Sequence, residues 1–196
     1  MLAVMTIDQR GSRRDIDRVE DLLAELRRDV TTGIALPFER TVGDEVQGVV
    51  TDPALLIELS LRCARAVYWT VGVGLGEIRT PLPDSTRKAS GPAFEHARDA
   101  VNRAKATSWA LAVEGPDPTA SCYVEAVLST LATVLRRRSP AGWQAIDLIA
   151  RGRSQTEVAQ LLGISKQAVS QRLNASWWWH ELALRPVAAH LLIEAA

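Results

Sequence analysis

Cysteine is scarce: Cys63 and Cys122 are the only two in 196 residues, and they lack a CxxC spacing. That excludes a disulfide framework and a cysteine-rich zinc site, and the apolar surroundings of both suggest reduced, buried thiols. Net charge is also missing, because 23 Lys and Arg balance 23 Asp and Glu. Such a chain has no global attraction for nucleic acid, so any basic footprint must be local. No apolar run reaches the length of a membrane span, and the N-terminus has no signal-peptide-like apolar segment. Cytoplasm is the expected location. Against these absences stands a hydrophobic content of 47%, enough to bury a sizeable core. Positive charge is uneven, with Arg136, Arg137 and Arg138 adjacent, followed by Arg151, Arg153, Lys166 and Arg172.

The first half alternates strand-like and helix-like stretches. Leu2 to Ile7 reads as a buried strand leaving through Asp8-Gln9-Arg10-Gly11-Ser12. Ile16 to Val30 carries Ile16, Val19, Leu22, Leu23 and Leu26 at helical spacing. Phe38 to Val42 and Glu45 to Val50 flank a Gly43-Asp44 hairpin tip. Asp52-Pro53 opens a helix running to Val67. Trp69 to Ile78 reads as a strand with Thr70, Gly72, Gly74 and Gly76 on one face, which implies close approach by a helix or a ligand. A helix from Pro92 to Ala104 and a strand from Trp109 to Val113 complete the pattern. This order contains the split βαβ unit. The expected fold is α+β: a ferredoxin-like, cyclase-type antiparallel sheet over residues 1–115, then an all-α helix-turn-helix domain over 116–196. Gly115-Pro116-Asp117-Pro118 is the expected linker, with Ala120 to Arg137 leading the chain away from the sheet.

The segment from Ser154 to Asn174 carries the sharpest signal. Ser154 with Glu157 forms a capping box, Ala159 is small where a second helix would cross, and Gly163 permits a left-handed turn. Ser165 caps the second helix, and Val169 and Leu173 anchor it. Lys166, Gln167, Ser170, Gln171 and Asn174 are left facing outward, and their side chains suit base edges and phosphates. The segment resembles the helix-turn-helix of bacterial repressors and sigma-factor-like regulators. That resemblance implies Lys166, Gln167 and Gln171 as base readers, with Ser165 and Ser170 nearer phosphates. Arg172 stands where that family has an apolar residue, which directs it to the DNA backbone. Trp143, Ile146 and Ile149 of the preceding helix supply the supporting core.

The first half resembles a class III nucleotidyl cyclase domain, and the SatD family of small bacterial proteins is similar over the same stretch. The residues that carry the likeness are Asp8 to Ser12, Arg40 to Glu45, Val71 to Glu77 and Gly91 to Ala93. It implies a metal pair, Asp8 and Asp44, converging at one sheet edge to hold Mg2+ or Mn2+ with a nucleotide. Arg10, Gly11, Ser12 and Glu45 join the implied ligand set, the turn at residues 10–12 offering backbone N–H groups to phosphates as it enters the first helix. Alternatively, Asp8 and Asp44 simply end a strand and a hairpin. Where cyclases place a transition-state Asn and Arg, this chain has Glu95 and Asp99, and carboxylates repel developing phosphoryl charge. His96 and Arg98 would lie on other faces of that helix.

Trp177-Trp178-Trp179 would span about 300° of a helix, so at least one should meet another domain or subunit. Two short helices around Pro186 would follow; the favoured role of this tail is a dimer interface that sets two recognition helices on a symmetric operator, the alternative being packing within the chain. The leading expectation is a transcription regulator, a homodimer on double-stranded DNA, whose cyclase-like half binds a nucleotide without turning it over and thereby shifts half-site geometry. One alternative is a metal-dependent nucleotidyl cyclase or transferase localised by the helical part. Another is an interaction protein that contacts the transcription machinery without a small ligand.

Overall fold

Seven nearly continuous buried residues from Ala3 onward form β1 (Ala3–Gln9), and its position explains that composition. The computed structural model describes residues 1–196 and places β1 at the centre of a five-stranded sheet of order β2-β3-β1-β4-β5. The other strands are β2 (Ile34–Arg40), β3 (Glu45–Val50), β4 (Trp69–Leu75) and β5 (Leu111–Glu114). A strand buried on both faces reads as an apolar run rather than an alternation. All pairings are antiparallel except β4 with β5. Pro37 is tolerated because β2 is an edge strand.

Eight α-helices surround the sheet: α1 (Val19–Asp29), α2 (Pro53–Ala66), α3 (Pro92–Ala104), α4 (Pro118–Arg137), α5 (Pro140–Ala150), α6 (Gln155–Leu162), α7 (Lys166–Ala175) and α8 (Trp178–Glu194). Met5, Ile7, Val46, Val71, Val73 and Leu75 share one core with apolar residues of α1, α2, α4 and α8. On the opposite face, Val4 and Val49 pack with Ala93 and Ala97 of α3. The strand glycines serve that second contact. A Cβ on Gly74 would stand 2.0 Å from the Ala93 carbonyl oxygen, and one on Gly72 would stand 2.3 Å from the Val101 nitrogen. The close neighbour anticipated from those glycines is α3.

Several expected boundaries moved for local reasons. The first helix starts at Val19 rather than Ile16, because Gln9 holds the approach extended. Its side-chain amide donates to the Ile16 carbonyl at 2.7 Å and accepts from the Arg18 N–H at 2.9 Å. Strand β2 lies earlier than expected and ends at Arg40. Gly115-Pro116-Asp117-Pro118 starts a helix instead of linking domains. Asp117 caps α4 by accepting from the Thr119 and Ala120 N–H groups, with Pro118 at the first helical position. Helix α4 therefore does not leave the sheet. Val124, Leu128, Leu131 and Leu135 join the main core, as do Ala188 and Leu192 of α8, so no break in the core falls at 115/116. Cys63 is buried as expected, but Cys122 on α4 is exposed.

Helix α4 also has the length and mean hydropathy of a membrane span, a match the sequence reading did not anticipate; in this fold its buried side chains lie on the sheet.

The C-terminal helices build a second, smaller core from Ala145, Ile146, Val158, Ala159, Val169, Leu173 and Trp178. Trp177 adopts a left-handed turn (φ 56°), which ends one helix and begins the next, so the three tryptophans do not share a helix. Trp178 is buried, while Trp177 and Trp179 remain 55% and 45% exposed. Helix α8 runs unbroken through Pro186, where two short helices were expected. Pro186 and Leu182 are both exposed, so water can reach the carbonyl that the proline leaves unpaired.

Candidate functional site

Helices α6 and α7 are joined by three residues, each with a defined task. The Ser154 hydroxyl accepts from the Glu157 N–H at 3.3 Å, and the Glu157 carboxylate accepts from the Ser154 N–H at 2.8 Å. The Ser154 N–H, and the Ser154 hydroxyl donating to the same carboxylate at 2.8 Å, hold the Glu157 carboxyl below its ordinary range. Gly163 ends α6 at φ 64° and ψ 33°, the left-handed conformation that favours glycine. Ile164 is half-buried, and the Ser165 hydroxyl caps α7 by accepting from the Ala168 N–H at 3.1 Å. Val169 and Leu173 are fully buried beneath. Lys166, Gln167, Gln171 and Asn174 are therefore exposed, whereas Ser170 and Arg172 are half-buried. None of these six side chains forms a hydrogen bond or ion pair within the chain.

The adjacent arginines 136–138 divide into different roles, which their spacing alone did not reveal. Arg138 is buried, its Nη2 2.6 Å from Glu181 and its Nε donating to the Ser176 carbonyl. Arg136 donates to the carbonyls of Ala64 and Ser108. Arg137 is exposed and without a partner.

The second candidate site lies on the α3 side of the sheet. Asp8 pairs with Glu45 across β1 and β3, and the Gln9 N–H donates to the Asp44 carbonyl at 3.3 Å, so Asp8, Asp44 and Glu45 gather at one end. The Asp8 carboxyl is 14% exposed and lies 2.8 Å from the Lys105 ammonium. Burial pushes it above the ordinary carboxylate range, Asp44 and Glu45 add to that, and Lys105 opposes it. A divalent ion at Asp8 would have to displace Lys105, and no group of three or more His, Cys, Asp or Glu is placed to hold a metal. Glu45 accepts from the Thr41 hydroxyl at 2.7 Å.

Arg10, Gly11 and Ser12 do not enter α1. They lead into a short 3-10 turn at Ser12–Arg14, and the Arg10 N–H is already taken by the Tyr68 carbonyl at 2.7 Å. Alongside, a cleft of about 630 Å³ is lined by Gln47, Arg87, Phe94, Glu95, Arg98 and Asp99, among others. Arg98 thus faces the same cleft as Glu95 and Asp99, contrary to the expectation from helical spacing. His96 does point elsewhere, its Nδ1 donating to the Leu75 carbonyl at 2.6 Å. Gln47 and Lys105 were missed from sequence, because only the sheet register sets Gln47 into the cleft wall and only the docking of α3 brings the Lys105 ammonium to Asp8.

No curated protein and no solved structure matches the chain. The model of the SatD family matches residues 3–192, across the sheet and the C-terminal helices alike, and the chain belongs to that family.

Proposed function

We propose that this SatD-family protein is a cytoplasmic, homodimeric regulator that binds double-stranded DNA through α6 and α7. The observation that carries the reading is the outer side of α7, where Lys166, Gln167, Gln171 and Asn174 are exposed and unpartnered on a helix fixed by its own Ser165 cap and by the capping box of α6. Amides and ammonium groups left unused by the fold match donor and acceptor patterns in a major groove. The first four strands run in the order of a split βαβ unit, which supports a cyclase-like, nucleotide-binding role for the sheet. Arg98 and Arg87 in the cleft supply cations for phosphates, whereas Glu95 and Asp99 disfavour turnover.

Selection from a random duplex pool tests the DNA reading. The wild-type protein is expected to enrich one sequence, and Gln167→Ala with Gln171→Ala to cost about 1–3 kcal/mol per lost bidentate contact. Failure to retain any duplex sinks it, and unchanged selection by the double variant sinks base reading by α7.

A further inference from the structure

Ion pairing is uneven over the C-terminal helices. Arg138, Arg153 and Arg185 each face a carboxylate, whereas Arg137, Arg151, Lys166 and Arg172 face none within 4 Å. Two of those unpaired cations, Arg137 and Arg172, line the same cleft. It has a volume of about 470 Å³ between the α4–α5 corner and α7, includes Ser139 and Gln171 in its walls, and contains no carboxylate. Arg137 ends α4, and Arg172 lies on α7, so the two guanidinium groups come from different cores. Like charges facing one opening repel, and a tetrahedral anion that accepts from both relieves the repulsion.

We infer that this cleft holds a backbone phosphate of duplex DNA, resting on the reading of α7 as the recognition helix. Gln171 is common to the cleft and to the outer side of α7, so a phosphate here lies beside the bases that helix would read. The contact carries no sequence information itself. It fixes orientation: Arg137 belongs to a helix packed on the sheet, so the phosphate ties α7 and the sheet-bearing body to one DNA strand.

Fluorescence anisotropy tests this with the full chain and a labelled mixed-sequence duplex about two helical turns long. Affinity is followed between about 50 and 200 mM KCl. Arg137→Gln and Arg172→Gln should each reduce the slope of log affinity against log salt by about 0.9, weakening binding about eightfold at ~0.1 M salt. Arg27→Gln, an equal charge change on α1, should leave the slope unchanged. Wild-type slopes in both cleft variants, or an equal loss in Arg27→Gln, would overturn the cleft alone. Absence of wild-type binding at every salt concentration would overturn both it and the reading of α7. A normal salt effect with unchanged selection after Gln167→Ala plus Gln171→Ala would overturn base reading and leave the phosphate site standing.

Discussion

Glu181 is 2% exposed and sits between two guanidinium groups, with Arg138 and Arg185 each at 2.6 Å. Arg138 is itself 1% exposed, so the pair has exchanged water for each other. Removing one partner of a buried pair leaves an uncompensated charge. Glu181→Ala should therefore cost about 3–5 kcal/mol, read as a lower urea midpoint. A loss below about 1 kcal/mol would show that water reaches Arg138. Nothing in the run of three arginines distinguishes the buried one from its neighbours. Arg138 is set apart because the chain turns immediately after α4 and carries it under Ser176 and Glu181.

At the scale of elements, the α6–α7 segment was legible because its signals are local. A capping box spans four residues, and a left-handed glycine acts on its own backbone, so neither needs a distant partner. Ser154→Ala should destabilise the chain by about 1 kcal/mol, measured by thermal or urea unfolding. Glu157 adds a pH dependence. Its carboxyl is held below the ordinary range in the folded chain, so its contribution is complete above the unfolded value and drains as pH falls through the folded one. The wild-type advantage over Ser154→Ala should shrink in acid; an advantage constant with pH would show that the carboxylate takes no part. The sheet-side cleft was not legible in this way. Asp8 and Lys105 are 97 residues apart, and their approach depends on which strand α3 covers.

For the whole molecule, the sheet and the C-terminal helices share structure on both sides of the proposed boundary. Helices α4 and α8 complete the main core, while Trp143 packs against both cores and is flanked by Arg65 and Arg138. Arg65 also bridges α2 to Asp147 on α5 at 2.6 Å. A fragment of residues 1–115 would expose the sheet residues that α4 and α8 cover. It should show no cooperative unfolding transition by circular dichroism, while the full chain shows one. A sharp transition in the fragment would restore the two-domain division.

The sequence by itself determined the order of strands and helices from β1 to β5, the caps and turn of α6 and α7, and the need for a close neighbour at the β4 glycines. Those properties follow from backbone conformation and hydrophobic periodicity, which act over a few residues. Tertiary structure alone decided that α4 lies on the sheet, that Lys105 meets Asp8, and that Arg137 and Arg172 open onto one cleft while Arg138 is buried. These depend on the direction in which each helix leaves its turn, and that direction is set by burying apolar faces from distant parts of the chain.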